Sequence, residues 1–188
     1  MKNVGIGYPL TQRTSDVTLR ATRSFPAETA EVVMRQFTDR ANWEGVHFES
    51  VDVGAQCKAK QYVFAGYHYC TKGEAQLAQL LSEFSVPFTQ NVPFGLTTPE
   101  SESRRFVPDF VFDRKAYIWH GRNRPVLIHG IEAKGKTKSG DFSLRALENV
   151  RLLHEQRGIR ILLLSNSQIK QYFHNHRLPL KPLEPTDA

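Results

Sequence analysis

Two apolar runs separated by a helical stripe constrain this chain more than any other feature. The first is Val126-Leu127-Ile128-His129-Gly130-Ile131 and the second is Ile159-Arg160-Ile161-Leu162-Leu163-Leu164. A strand open to water on one face alternates, so runs this continuous suit strands covered on both faces. Between them, Asp141 to Gln156 sets Phe142, Ala146, Leu147, Val150 and Leu153 along one side of a helix. Gly158 then stands where a left-handed cap ends such a helix. Strand, helix, strand in this order requires a crossover and a parallel pair within one sheet. The expected class is therefore α/β, with a mixed central sheet flanked by helices.

Weaker signals fill in the rest. Thr71 to Phe84 has Ala75, Leu77, Ala78, Leu80, Leu81 and Phe84 on an apolar side, as a helix would. Val86 to Phe94 is extended, but Pro87 and Pro93 argue against a central strand. Thr97 to Arg104 reads as a polar loop, Arg105 to Phe112 as a strand, and His120 to Pro125 as a turn. Ser167 to about Asn175 is expected to be a last helix, before a Pro-rich tail from Leu178. Upstream, Val17 to Phe25 alternates like a half-exposed strand, and Pro26 opens a helical stripe through Thr38. Trp43 to Val53 and Gln61 to Tyr69 are β or irregular. The organisation expected is an extension of unknown role over 1–65, a core over 66–175 and a tail over 176–188, without internal repeats.

Charge enters the apolar runs at only a few points. Asp109 lies within Arg105-Phe106-Val107-Pro108-Asp109-Phe110-Val111-Phe112, and Glu132 and Lys134 close the run that begins at Val126. Residues two apart leave a strand on the same face, so Glu132 and Lys134 point together. Asp109 shares its face with Val107 and Val111, with Phe106, Phe110 and Phe112 on the other. Side by side, the two strands would bring two carboxylates and an ammonium to one spot. Mg²⁺ is commonly held by one or two carboxylates together with waters and phosphate oxygens. A lysine beside it can orient a water. This is the equipment of metal-assisted phosphodiester hydrolysis. Each group also has a plainer reading: a strand-end carboxylate for Asp109, and a solvated charge pair for Glu132 and Lys134. Against that pair reading, charge appears only at the end of an apolar strand, where functional groups favour carboxyl termini.

Pro108-Asp109, a spacer, and Glu132-Ala133-Lys134 resemble the PD-(D/E)XK nuclease superfamily over about Gly66 to Leu164. The pattern is closest to transposase-type and homing endonuclease members. The resemblance implies a restriction-endonuclease-like core in the order α-β-β-β-α-β, with a small N-terminal α+β extension. The long spacer implies an insertion between the two motif strands. It also implies a Mg²⁺-dependent DNA endonuclease, with Mn²⁺ as a substitute, serving a mobile element, a phage or repair. In that scheme Asp109, Glu132 and the Ala133 carbonyl hold the metal, and Lys134 positions the attacking water. Glu74, on the helix before the Asp strand, supports the site. The glutamate has a competing role, because Thr71-Lys72-Gly73-Glu74 is a capping box. Gln90, Asn149 and Gln156 stand where some superfamily members place further polar groups.

Charge and length agree with that expectation. The 188 residues carry a formal charge of +6, with a pI near 9.4, which favours a polyanionic partner. Lys136, Lys138 and Arg145 are the candidates to grip DNA phosphates, a contact that positions a duplex without reading it. A second reading is a nucleic-acid-binding or assembly protein without catalysis, since fold does not fix activity. A homodimer or a partner subunit would let two sites address both strands. No membrane span or signal-like run is read, and two cysteines make no disulfide framework, so the expected home is the cytoplasm. Phe173-His174-Asn175-His176, Gly135-Lys136-Thr137, and the set Cys57, His68 and Cys70 lack the spacing of the metal or phosphate motifs they suggest.

Overall fold

The computed structural model describes residues 37–51, 62–121 and 124–183. The strand expected at Val17 to Phe25 and most of the helix expected from Pro26 lie outside the described residues, as does Cys57. Residues 37–51 run without regular strands or helices. A hairpin follows, β1 (Tyr62–Phe64) and β2 (Tyr67–Tyr69), then α1 (Lys72–Glu83). Next come β3 (Thr89–Gln90), the hairpin of β4 (Phe94–Thr97) and β5 (Ser103–Phe106), and β6 (Phe110–Val111). After β7 (Tyr117–Trp119), β8 (Val126–Ile128) and β9 (Gly130–Lys134), α2 (Leu144–Arg157) crosses to β10 (Ile161–Ser165). The chain closes with α3 (Asn166–His174) and β11 (Leu180–Pro182). The result is a mixed α/β fold.

The central sheet has the order β10-β9-β6-β3. β9 and β10 are parallel, as the strand–helix–strand pattern requires, while β6 is antiparallel to both β9 and β3. Helices cover both faces. On one side Leu77, Ala78 and Leu81 of α1 and Ile169 of α3 pack on Phe110, Ile131 and Leu164. On the other, Leu152 and Leu153 of α2 meet Val111 and Ile161, joined by Phe94, Leu96 and Phe106 from the β4–β5 hairpin. β7, β8 and β11 form a separate three-stranded sheet, so the spacer between Asp109 and Glu132 holds the β7–β8 hairpin.

The helix ends have clear local causes. Thr71 caps α1 by accepting from Glu74 N–H at 3.1 Å, and Ser143 caps α2 by accepting from Ala146 N–H at 3.3 Å. Gly158 ends α2 with φ +69°, and a Cβ there would lie 2.5 Å from the Arg40 carbonyl oxygen. Two demands, a left-handed turn and a close backbone approach, thus fall on one glycine.

Several expectations are corrected. Arg105 to Phe112 is two strands, because Pro108 has no N–H for a ladder and β5 stops at Phe106. Phe106 consequently packs with Val111 under α2 and does not share a face with Phe110 and Phe112. Val126 to Lys134 is also two strands, which part at His129 and enter different sheets. Thr97 and Ser103, expected in a loop, pair across the β4–β5 hairpin. The boundary at 65/66 cuts the β1–β2 hairpin, and the tail contributes β11, which pairs with β7.

His129 is the hinge between the two sheets, and it is completely buried. Its Nδ1 accepts the Arg160 N–H at 3.0 Å, and its Nε2 lies 2.9 Å from Asp39 Oδ1. Its backbone N–H donates to Arg160 O, and its carbonyl accepts from Phe112 N–H, both at 2.8 Å. Those partners fix the tautomer with the proton on Nε2.

Candidate metal centre

The β6–β9 register pairs Phe110 with Ile131 and Val111 with Gly130, and one further step sets Asp109 opposite Glu132. Each carboxylate accepts a backbone N–H from the chain segment of the other. Asp109 N–H donates to Glu132 Oε2 at 3.0 Å, and Ala133 N–H donates to Asp109 Oδ2 at 2.7 Å. Lys134 Nζ donates to Glu132 Oε1 at 2.8 Å. Glu132 is almost fully buried and Asp109 is half-buried. No hydrogen bond from a described residue reaches Asp109 Oδ1. Close approach of the strands depends on Gly130, since a Cβ there would fall 2.4 Å from Phe110 O.

The electrostatics are those of crowded carboxylates. Burial, then Glu132 and Glu74, push the Asp109 carboxyl well above its ordinary range, against the Ala133 N–H and Lys134. Burial also raises Glu74, with Glu132 adding to it. For Lys134 burial alone would lower the pKa, but Glu132, Asp109 and Glu74 together hold it above normal. Three acidic groups and one ammonium therefore sense one another at the carboxyl end of β9. One lysine does not balance them, and a bound cation would.

Glu74 reaches this group only through its field. Its Oε1 accepts from the Thr71 hydroxyl at 2.9 Å and its Oε2 from the Cys70 N–H at 3.0 Å, so both oxygens are engaged in the helix start. Among the described residues no three His, Cys, Asp or Glu side chains converge as a cage. A pair of carboxylates is nevertheless a normal protein contribution to Mg²⁺, whose remaining positions go to water and phosphate. Asp109 and Glu132 fit such an ion by donor type and by their excess of negative charge. Ala133 lies between Glu132 and Lys134, its N–H on Asp109 and its side chain against the core beneath α1.

The other candidates are dispersed. Gln90 lies opposite Phe110, on the face away from Glu132, and its Nε2 donates to the Tyr69 hydroxyl at 2.9 Å. Burial pushes that phenol up to about 12. Asn149 is buried and accepts from Arg104, while Gln156 ties α2 to β4 through both Thr97 backbone groups. Lys136 and Lys138 are exposed beyond β9, with Lys136 Nζ 5.7 Å from the centre of the Phe142 ring. Arg145 is exposed on α2 and lines a groove with Arg104 and Arg151. Arg104, which also pairs with Glu148, lies in the first half of β5, which falls within the loop expected over Thr97 to Arg104. Cys70 is disulfide-bonded and offers no thiolate for zinc.

No protein-family model matches the chain, and no curated protein or solved structure matches it significantly. Among the described residues no helix is long and apolar enough to cross a membrane.

Proposed function

We propose that the chain is a metal-dependent endonuclease acting on DNA, built on a restriction-endonuclease-like core of the PD-(D/E)XK type. The observation that carries this reading is the reciprocal clamp of Asp109 and Glu132, with Lys134 on the second carboxylate. The succession α1, β3, β6, β9, α2, β10 agrees with the α-β-β-β-α-β order, once the two hairpins are set aside as insertions. Asp109 and Glu132 would hold Mg²⁺ or Mn²⁺, with the Ala133 carbonyl as a further oxygen donor. The ion supplies Lewis acidity at the phosphoryl oxygen and a more acidic water.

The chain's own groups do the rest. Glu132 holds the Lys134 ammonium at the carboxyl end of β9, where it can orient a water and take up negative charge developing on the phosphate. Asp109 is fixed by the Ala133 N–H, which leaves Oδ1 available to a cation. Lys136, Lys138 and Arg145 bring positive charge to the loop and helix that follow β9. That charge suits phosphate backbone contacts, which raise affinity and make it fall with salt.

A non-catalytic nucleic-acid-binding protein is the second reading, favoured by one observation: Glu74 is committed to the helix cap. Nicking of supercoiled plasmid in Mg²⁺ or Mn²⁺ separates the two. The nuclease reading expects nicking by the wild type, and loss of it in Asp109→Ala and Lys134→Met. A wild type that binds DNA yet leaves it intact in both metals would establish the second.

A further inference from the structure

A cleft opens around the junction of β10 and α3, lined also by Lys136 beyond the end of β9. Its volume is about 580 Å³, within the range of ligand-binding pockets generally. Ser165, which lines it, is the register partner of Lys134, so this cleft adjoins the end of β9 that bears the charged site. Crevices outside the carboxyl ends of strands are where sheets of this kind bind ligands.

Its chemistry is specific in three respects. Trp119 and Tyr172 form one wall, their rings 5.3 Å apart and nearly perpendicular. Arg124 and Lys136 give it two positive charges, and no carboxylate of the described residues lines it. Gln171 supplies an amide with donors and an acceptor, and Gln168 the donors of its Nε2. Gln168 is held in place because its Oε1 accepts from the Ser165 N–H at 2.9 Å and the Ser165 hydroxyl at 2.8 Å. Gly121 keeps the rim clear, since a Cβ there would lie 2.8 Å from the Trp119 indole nitrogen. Aromatic wall, amides for a base edge and cations for phosphate together describe a nucleotide.

We infer that this cleft receives one unpaired nucleotide of the strand being cut, its base against Tyr172 and its phosphates against Arg124 and Lys136. The inference rests on the nuclease reading and extends it to a preferred substrate: DNA with a bulged, frayed or flapped base beside the scissile bond. A fully paired duplex keeps its bases stacked and leaves the cleft unused.

Binding measured in Ca²⁺, without turnover, tests this. Three DNAs of one sequence are compared: a blunt duplex, the duplex with a one-nucleotide bulge, and the bulge carrying an abasic residue. The wild type should bind the bulged DNA about tenfold tighter than the other two, the scale of one base–aromatic stacking. Tyr172→Leu keeps an apolar side chain beside Trp119 and removes the ring, and Gln171→Glu puts a carboxylate in the cleft from an exposed position. Both variants should lose the preference for the bulge and keep the affinity for blunt duplex. Equal affinity for bulged and abasic DNA, or a preference that survives both substitutions, overturns the inference and leaves the nuclease reading standing. Absence of binding to all three DNAs would remove both.

Discussion

Asp109, just before β6, and Glu132 of β9 face each other, each accepting a backbone N–H from the segment of the other. Two like charges are thereby fixed next to each other, Glu132 almost fully buried and Asp109 half-buried, with one ammonium on Glu132. Such an arrangement opposes stability, because desolvation and like-charge repulsion both disfavour the ionised pair. Asp109→Asn keeps an oxygen for the Ala133 N–H and removes one charge. In metal-free buffer this variant should melt about 2–4 °C above the wild type, the shift that ~1 kcal/mol gives in a chain of this size. It should also lose nicking activity. A lower melting point would mean that the Asp109 carboxylate is held by attraction rather than against repulsion.

The same crowding predicts a response to metal that does not depend on turnover. An ion that binds only the folded chain stabilises it by mass action, by ~2.7 kcal/mol at about a hundredfold excess over Kd. Mg²⁺ or Mn²⁺ should therefore raise the wild-type melting temperature by several degrees. Asp109→Ala should abolish the rise, whereas Lys134→Met should retain it, since Lys134 contributes no ligand oxygen. Differential scanning fluorimetry across a metal titration reads this directly.

The sequence reveals the parallel pair and the partners on it because β9, α2 and β10 have long, uninterrupted patterns. It fails where one residue breaks a run. Pro108 ends β5 for want of an N–H, and Asp109 occupies the gap before β6, so the aspartate is not inside a strand as the pattern suggests. His129 looks like one polar residue in an apolar run, yet it turns the chain from one sheet to the other. Its partners Asp39 and Arg160 are distant in sequence, and nothing local announces them. β11 was hidden for a similar reason: a short edge strand containing Pro182 has the composition of a tail.

Glu74 has two roles that two substitutions can divide. Thr71→Ala removes the hydroxyl that accepts from Glu74 N–H and should cost about 1 kcal/mol of stability. Glu74→Gln keeps an oxygen for the Cys70 N–H and removes the charge that Asp109 and Lys134 sense. If Glu74 supports the metal centre, Glu74→Gln should lower nicking about tenfold or more, the scale of a metal site's outer partners. Thr71→Ala should lower the melting temperature and leave nicking nearly intact. The expected result is this separation. Parallel loss of stability and activity in both variants would reduce Glu74 to a cap.

His129 should make stability depend on pH in the mildly acidic range. Burial lowers its pKa below 6.5, and Asp39 opposes that shift while Arg160 and His154 reinforce it. The Trp43 ring edge also packs against the imidazole, at 5.7 Å between centroids. In the unfolded chain the imidazole takes a proton near pH 6.5, but in the folded chain only at lower pH. Between those two values the unfolded state binds more protons, so stability falls as the pH is lowered. The contribution is complete above about pH 6.5 and is lost as pH drops through the folded-state value. Chemical denaturation at pH 7.5, 6.5, 5.5 and 5.0 should show a declining free energy of unfolding. His129→Gln should be less stable at pH 7.5, having lost the fit to Asp39 and the Arg160 N–H. Its decline with acid should be shallower, with the remaining slope in part from His120 and His154, whose pKa values burial also lowers. An unchanged slope in His129→Gln would mean that the hinge imidazole is protonated as easily in the fold as out of it.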